Sequence, residues 1–323
     1  MLVEPVLVTG AGGGVGGVGR RILERLRAHN VPVRALVHHD DERASDLRTM
    51  GGVEVLVGDL TRGADVVEAL AGCRRAYFGM SVSSAYLEAA ATVAAAARES
   101  AGLELLVSIS QMTVSQMDLT SDAESRQQRL HYLAEHVLDW SGAPVVHVRP
   151  TVFMENPLFT EVAAASIRRD GTIRLPFGSA RTSPVAAADV AEVVTALLLD
   201  PAPRARRVYE LTGARSRDMT AIAAEFSAAL GRDVTYVDVP YQEWLEHDLR
   251  NQGLPDHVFD HIATMARLHG ENRYDRATKD VADLLGRPPA GVRHRDQGPA
   301  RPAAVAGRVP GERSLRASRA APP

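Results

Sequence analysis

Short apolar runs alternate with amphipathic stretches over the first half of the chain, and turn residues bound each run. Runs of this length are typical of strands buried on both faces of a parallel sheet. The pattern predicts strands at 5–9, 32–37, 53–59, 75–79, 103–109 and 145–150. It predicts helices at 19–29, 42–50, 63–71, 84–100 and 121–141. Repeated strand–helix–strand units of this kind indicate a doubly wound α/β fold.

The predicted helix at 121–141 carries its own start and stop signals. Ser121 followed by Glu124 fits a capping box, and Gly142 fits a C-terminal stop. The helical periodicity predicts a buried stripe of Leu130, Leu133, Val137 and Leu138.

The pattern changes after residue 150. It predicts helices at 156–169, 189–199, 218–230, 241–250, 255–269 and 275–285, with short strands at 171–176, 208–211 and 234–239. We interpret residues 151–292 as a smaller α+β lobe that supplies a substrate pocket, because ligands of open α/β sheets bind at the carboxyl edge. The segment 293–323 is rich in Arg, Pro, Ala and Gly and lacks apolar periodicity, so we expect a disordered tail.

Composition narrows the class of protein. The chain has 323 residues, 45% of them hydrophobic, and a formal net charge of -3, which gives no electrostatic reason to bind nucleic acid or an anionic membrane. Cys73 is the single cysteine, which excludes an intrachain disulfide and a cysteine-based zinc site. No apolar run reaches the length of a membrane span, and no signal segment is recognisable at the N-terminus. We therefore expect a cytoplasmic protein without a membrane or nucleic-acid partner.

A glycine-rich loop follows the first predicted strand and precedes the first helix. Glycines recur every third residue, at Gly10, Gly13, Gly16 and Gly19. In this context the pattern indicates a dinucleotide site, because a backbone without side chains can approach a pyrophosphate and the helix N-terminus favours anions. Four glycines within a helical turn would each cost about 1 kcal/mol relative to alanine, so we expect a long loop with the helix starting near Gly19. Residues 1–150 are thus predicted to form a Rossmann domain that binds NAD(P)(H).

Several segments together resemble the NmrA-like branch of the atypical short-chain dehydrogenases. The Val-Thr-Gly-Ala-Gly-Gly-Gly-Val-Gly loop carries this resemblance, and similar segments follow at 33–37, 57–60, 133–144, 148–156, 183–192 and 209–213. The branch includes quinone and enone reductases and also cofactor-sensing regulators without catalytic activity. The resemblance therefore implies the fold and the cofactor class, and leaves the substrate open.

The resemblance also implies which residues contact the cofactor. Asp59 would accept from the adenine amine, although an N-cap for the next helix explains it equally well. The expected cofactor contacts are Thr9, Gly10, Gly13, Gly16, Val18, Gly19, His38, Asp59, Leu60, Gly79, Met80, Ser81, Ser108, His131, Pro150, Thr151 and Val152. The expected substrate-pocket residues are Gln111, Met112 and Phe153.

The choice between NAD and NADP stays open at the turn after the second strand. Asp40 lies near the spacing at which an acid binds the ribose diol of NAD. Arg43 or Arg34 could instead pair with the 2′-phosphate of NADP, with help from a protonated His38. A solvated charged turn explains most of these residues equally well.

The catalytic pair of typical short-chain dehydrogenases is missing. Those enzymes carry Tyr-x-x-x-Lys on the helix after the fifth strand, and this chain has Gln127 and His131 at the two positions. Tyr132 lies one residue away and therefore about 100° around the helix. His131 is the candidate acid–base residue, and the alternative is a surface histidine that pairs with Glu135.

These observations predict an NAD(P)H-dependent oxidoreductase that acts on a small quinone, enone or related conjugated carbonyl. The first alternative is a non-catalytic, redox-sensing regulator with a protein partner, and the second is an extended-type epimerase or dehydratase. His257 and His261 have the spacing of a metal-binding pair, but no third ligand is identifiable, so we expect surface or packing roles and no metal.

Overall fold

A computed structural model describes residues 4–13, 15–100, 102–200 and 208–291. The predicted disordered tail lies outside these residues. The strands are β1 (Val6–Thr9), β2 (Val33–Val37), β3 (Val53–Val57), β4 (Arg75–Phe78), β5 (Leu105–Ile109), β6 (Val145–Pro150), β7 (Thr172–Leu175), β8 (Arg181–Thr182), β9 (Val208–Leu211), β10 (Arg217–Asp218) and β11 (Thr235–Asp238). The α-helices are α1 (Val18–Ala28), α2 (Glu42–Arg48), α3 (Gly63–Leu70), α4 (Tyr86–Glu99), α5 (Arg126–Trp140), α6 (Ala164–Asp170), α7 (Ala187–Leu199), α8 (Met219–Leu230), α9 (Tyr241–Trp244), α10 (Asp256–Gly270) and α11 (Asp280–Leu285).

Seven parallel strands form the central sheet in the order β3-β2-β1-β4-β5-β6-β9. The chain reverses its direction of travel across the sheet between β1 and β4, where Val8 is in register with Ala35 on one side and Tyr77 on the other. This arrangement confirms the predicted doubly wound Rossmann fold. It also places the opening of a ligand cleft beyond the carboxyl ends of β1 and β4.

Alternation along the short strands builds a separate core on each face of the sheet. Val6 and Val8 belong to a cluster with α1 and α7, whereas Leu7 between them belongs to a cluster with α3, α4 and α5. Both cores consist mainly of Val, Leu and Ala, so the helices lie close to the sheet. This packing explains why the apolar runs are continuous rather than alternating with polar residues.

Two elements after residue 150 return to the sheet. β9 pairs in parallel with β6 as the seventh strand, and α7 packs against α1. The sequence pattern had assigned both to the smaller lobe, because it cannot reveal which edge a late strand joins. The boundary at residue 150 stays a prediction.

A third hydrophobic core, formed mainly by residues after 150, surrounds Trp244, which is fully buried. β7 pairs in parallel with β11, and β8 pairs antiparallel with β10. The predicted helices of this region are interrupted: a π-helix spans Leu158–Ala163 before α6, and another spans Leu245–Leu249 after α9. In the described part of the chain, no helix has both the length and the apolar character needed to cross a bilayer.

The start of α5 differs from the prediction. The capping box consists of Ser125 and Gln128, not Ser121 and Glu124. The Ser121 hydroxyl instead closes a turn, in which it accepts a hydrogen bond from the backbone N–H of Asp118 at 2.9 Å. The Ser121 hydroxyl is therefore used in this turn, and Ser125 caps the helix instead.

The buried stripe of α5 also differs from the prediction. Of the four predicted residues, only Leu138 is fully buried. Polar side chains take up much of the buried face instead, at Gln127, Gln128, His131 and Glu135. Hydrophobic periodicity predicts burial only against an apolar core. The buried face of α5 also borders a cleft and includes Glu135, which forms an ion pair with Arg149.

Candidate functional site

A hydrogen-bonded clip joins β1 and β4 where the chain changes direction. The Thr9 hydroxyl donates to the Gly79 carbonyl at 2.8 Å and accepts from the Gly79 N–H at 2.9 Å. Thr9 lines the cleft with its hydroxyl fully used by these two bonds. Its main role in the structure is therefore to fix the two strand ends between which the cleft opens.

The glycine-rich loop packs tightly against this clip. A Cβ on Gly10 would lie 2.7 Å from the Gly79 carbonyl oxygen, and Gly10 has a φ of +68°. A Cβ on Gly19 would lie 2.7 Å from the Gly10 backbone, so both positions require glycine. Gly13 faces open space, with no atom within 4 Å of such a Cβ. The loop thus leaves its backbone exposed to the cleft at Gly13 and close-packed on either side.

Helix α1 begins at Val18, one residue before the expected start. Its N-cap is Gly17, which provides no side-chain cap, and the first turn contains no acidic residue. The first N–H groups of the helix are therefore left for a ligand, since four such groups lack partners within any helix. Val18 and Gly19 line the cleft at this point. A 3₁₀ turn spans Val15–Gly17 directly before α1, so the loop ahead of the first helical turn is shorter than expected.

Gly16 has a different environment from the other loop glycines. A Cβ there would lie 2.5 Å from the Ala187 Cβ at the start of α7. Gly16 does not line the cleft. It allows α1 and α7 to approach each other.

One end of the cleft carries charged side chains and is here called the charged end. Its lining includes His38, His39, Asp41, Arg43, Asp59, Leu60 and Glu88. Asp41 caps α2 and holds Arg43, with Oδ2 2.5 Å from the guanidinium. Asp40 pairs with Arg48 and does not line the cleft.

Two residues considered for the cofactor have structural partners. Arg34 donates to Glu54 and to backbone carbonyls near the end of α3. Asp59 accepts from the Thr61 N–H and hydroxyl, both at 2.8 Å, and these bonds hold the pKa of its carboxyl below the ordinary value. The N-cap alternative for Asp59 is wrong, because α3 begins at Gly63 after Arg62.

The other end of the cleft is here called the uncharged end. None of its described lining residues is Asp, Glu, Lys or Arg. It shares Gly10, Gly13, Gly79, Met80 and Ser81 with the charged end, so the two ends form one continuous cleft past the glycine loop. The predicted residues that line it are Thr9, Val18, Gly19, Gln111, Met112, His131, Pro150, Thr151, Val152 and Phe153, in addition to the shared ones. Ser108 is buried within β5 and lines neither end.

Several buried polar atoms at the uncharged end have no hydrogen-bond partner among the described residues. They include Ser110 Oγ, Thr151 Oγ1 and His131 Nδ1. Gln127 Oε1 accepts from the Ser83 N–H at 3.1 Å, whereas its Nε2 is buried without a partner. Buried donors and acceptors without partners are costly, which makes them candidate ligand contacts.

His131 is buried and packs against Tyr86, with ring centroids 4.1 Å apart and the ring planes tilted by 46°. Burial, with a smaller contribution from His261, lowers its pKa to about 3, so the imidazole is neutral at pH 7. Glu135 pairs with Arg149 through Nε and Nη2, at 2.9 and 2.5 Å. The alternative of a surface His131 paired with Glu135 is therefore wrong.

The far wall of the uncharged end comes from α10 and the segment after it, which the sequence did not indicate. Val258, His261, Ile262, Met265 and Tyr274 line it. They are far from the glycine loop in sequence, and the sequence singled out only His261 among them, for a possible metal pair rather than for this pocket. Among the described residues, no group of His, Cys, Asp or Glu could hold a metal ion, and His257 of the considered pair is exposed.

A family model described as NAD(P)H-binding matches residues 13–201, more than half of the chain. The chain belongs to the NAD(P)H-binding family. The match begins inside the glycine loop, after Thr9 and Gly10, and includes Gly79, most of the charged end and much of the uncharged end. The predicted family and cofactor class are confirmed, and the preference between NADH and NADPH is left open.

Two relatives of this NAD(P)H-binding protein are reductases. The chain is 26% identical to an NAD(P)H azoreductase of Xenophilus azovorans over 278 residues, 85% of this chain and 92% of the relative. It is 33% identical over 235 residues to a (4-alkanoyl-5-oxo-2,5-dihydrofuran-3-yl)methyl phosphate reductase of Streptomyces griseus, 72% of this chain and 77% of the relative.

Solved structures share the fold. An NADPH-dependent quinone oxidoreductase of Escherichia coli, in complex with NADPH, superposes with a TM-score of 0.73 at 24% identity, covering 89% of this chain and 97% of that one. NmrA, a negative transcriptional regulator in complex with NADP, superposes with a TM-score of 0.68 at 18% identity, covering 88% and 92%. The NAD(P)H-binding chain therefore has a fold that occurs in both reductases and a regulator.

Proposed function

We propose that this chain is an NAD(P)H-dependent oxidoreductase that reduces a small quinone, enone or related conjugated carbonyl. The observation that carries the proposal is the continuous cleft, which runs from the exposed backbone of the glycine loop to an uncharged end lined by apolar side chains. Such a cleft accommodates a dinucleotide and a planar apolar acceptor side by side.

The chain's residues fit the cofactor. The open backbone at Gly13 and the uncapped start of α1 suit a pyrophosphate, and His38, Asp59 and Leu60 border the place for adenosine. The hydroxyls of Ser110 and Thr151 have no partner in the described part of the chain, and we place them where the nicotinamide end would be held. When bound, NAD(P)H supplies a hydride from its nicotinamide ring.

The protein's own contribution is orientation and exclusion of water. Met112, Val152 and Phe153 form an apolar surround, and the polar atoms that reach the cleft have fixed partners or face the ligands. His131 is neutral at pH 7 because of its low pKa, so we assign it to binding rather than to proton donation. A conjugated acceptor tolerates this arrangement, because the final proton can come from water.

The named activities of the relatives support acceptors of this type. Azo compounds and quinones are conjugated, and the relatives named for them are an azoreductase and a quinone oxidoreductase. The Streptomyces griseus relative is named for a phosphate-bearing substrate. The uncharged end offers no lysine or arginine to such a phosphate, which favours the uncharged acceptors.

The test is turnover of NADH and NADPH, followed at 340 nm with a panel of quinones and enones. We expect turnover with at least one uncharged acceptor, and loss of that turnover in a Gly10→Ala variant that cannot form the loop. Cofactor binding without turnover of any acceptor would overturn the reductase proposal.

A redox-sensing regulator is the second candidate. The observation that favours it is Gln127 and His131 in place of the tyrosine and lysine of typical short-chain dehydrogenases. A regulator would bind the oxidised and reduced cofactors with unequal affinity, turn over no acceptor, and signal to a protein partner. Fluorescence titration with all four cofactor forms separates the two candidates. The same missing pair disfavours an epimerase or dehydratase.

Two further sequence expectations stay proposals. A cytoplasmic location accords with the single cysteine. The absence of a nucleic-acid partner rests on the net charge of -3.

A further inference from the structure

A buried hydrogen bond connects α5 to α10 behind the uncharged end. Ser125 Oγ and His261 Nδ1 are 2.8 Å apart, although the residues are 136 positions apart in sequence. Ser125 is 6% exposed and His261 is 7% exposed, so water does not compete for this bond. His261 lines the uncharged end, whereas Ser125 does not.

The capping box decides which atom carries the proton in this bond. Ser125 Oγ already accepts from the Gln128 N–H at 3.2 Å. If His261 Nδ1 also donated to Oγ, the buried hydroxyl proton would have no acceptor. Donation from Oγ to Nδ1 satisfies both groups, and Nδ1 then carries no proton. The imidazole is therefore held in the tautomer with its proton on Nε2.

This tautomer gives the cleft a neutral hydrogen-bond donor. Burial lowers the pKa of His261 to about 4, so the ring is uncharged at pH 7. The described residues provide no hydrogen-bond partner for Nε2. His131, also neutral, is the other imidazole that lines this end. An anionic group would meet no compensating charge here, whereas a carbonyl oxygen matches an N–H donor in an apolar surround.

We propose that the Nε2–H of His261 binds the carbonyl oxygen of an uncharged conjugated substrate, and that Ser125 is the positioning residue that fixes the tautomer. This inference rests on the proposed reductase function. The hydride from the nicotinamide adds to the conjugated acceptor and forms the new C–H bond. The electron pair of the acceptor's π bond moves to the oxygen at Nε2–H, and that oxygen takes its proton from water. The cofactor is oxidised, the carbonyl compound is reduced, and His261 keeps its proton.

The kinetic test compares three variants on α10 with 1,4-naphthoquinone as acceptor. His261→Phe removes the donor and keeps a ring, and we expect kcat/KM to fall roughly tenfold or more, as for a lost donor to a developing oxyanion. His261→Gln keeps an N–H donor and should recover part of the loss. The control is His257→Ala, one turn away on the same helix and exposed, which should match the unchanged protein.

The outcomes separate the two proposals. An activity of His261→Phe within twofold of the unchanged protein would overturn the role of His261 and leave the reductase intact. Turnover of 1,4-naphthoquinone-2-sulfonate equal to that of 1,4-naphthoquinone would overturn the uncharged class of substrate. No turnover with any acceptor would overturn the reductase and this inference together.

A spectroscopic readout tests the tautomer without any activity. In protein labelled with ¹⁵N at histidine, we expect the His261 signals of an Nε2-protonated ring, and a changed tautomer distribution in Ser125→Ala. Asp218→Ala is the matched control, because it removes the side-chain N-cap of α8 and leaves Ser125 in place. Equal His261 spectra in all three proteins, or an Nδ1-protonated ring, would contradict the positioning role.

Discussion

The two ends of the cleft differ in the charge and in the burial of the side chains that line them. At the charged end, Asp41 and Arg43 pair at the surface, with 36% and 60% of their side chains exposed. At the uncharged end, His131 and His261 are buried and neutral. Exposed ion pairs are worth about 0–1 kcal/mol, whereas a buried polar group without a partner costs about 1–3 kcal/mol.

This difference assigns separate tasks to the two ends. If the cofactor binds as proposed, we expect the charged end to add selectivity between NADH and NADPH in small increments, because water and salt screen its charges. The uncharged end holds polar atoms such as Ser110 Oγ and Thr151 Oγ1 in a dry setting, where a ligand with matching groups is strongly preferred. We therefore expect changes at the uncharged end to have the larger effects.

Acidification should destabilise the protein through its buried histidines, two of which, His131 and His261, line the uncharged end. Burial lowers the pKa of His131 and His269 to about 3 and that of His261 to about 4, so each binds a proton on unfolding below pH 6.5. The unfolded state then holds more protons, and stability falls with falling pH by about 1.4 kcal/mol per unit for each histidine, down to its folded pKa. Urea unfolding at pH 7.5, 6.5 and 5.5 measures this decline.

A variant comparison assigns that decline to the histidines. His261→Phe should remove about one third of the slope between pH 6.5 and 5.5, because it removes one of the three histidines whose pKa burial lowers. His257→Ala should keep the full slope. If the free energy of unfolding did not change between pH 7.5 and 5.5, these histidines would be solvated. The two ends of the cleft would then not differ in burial.

Gly10→Ala should damage the junction that both ends share. The new Cβ would lie 2.7 Å from the Gly79 carbonyl oxygen at a φ of +68°. The left-handed conformation alone costs about 1–2 kcal/mol, and the clash displaces the clip between β1 and β4. We expect stability to fall by about 2 kcal/mol and affinity for NADPH to fall at least tenfold. Thermal unfolding and fluorescence titration measure the two effects.

The control for this substitution is Gly63→Ala at the start of α3. Nothing lies within 4 Å of a Cβ there, and alanine favours the helix. Equal cofactor affinity in the two variants would contradict the role of the close contact at Gly10.

The sequence predicted the sheet and the junction well, because local patterns determine both. Short apolar strands and periodic glycines are readable within a few residues, and Gly10, Gly13 and Gly19 have the environments that a dinucleotide loop requires. Gly16 shows the limit of this approach, since it follows the same period yet serves the contact between α1 and α7.

Only one wall of the uncharged end could be predicted from the sequence. The family resemblance implied Met112 and Thr151 as site residues, and both line this end after β5 and β6. The opposite wall depends on how α10 packs across the cleft, and no local pattern encodes that packing. The bond between Ser125 and His261 joins positions 136 residues apart, which is why the capping serine and the histidine were not recognised as partners.

Among these variants, Arg43→Ala should have the smallest effect, a modest loss of NADPH affinity at the charged end. Arg43 lines this end beside His38, while Asp40, the acid considered for NAD, is paired with Arg48 outside it. We therefore expect about fivefold weaker NADPH binding, roughly 1 kcal/mol, with NADH binding unchanged.

Arg48→Ala is the matched control, since it removes an arginine from the same helix but not from the cleft. Titrations at low and high salt should show the loss shrinking as salt rises, because an exposed guanidinium is screened. An equal loss for NADH and NADPH would mean that Arg43 supports the turn rather than a 2′-phosphate.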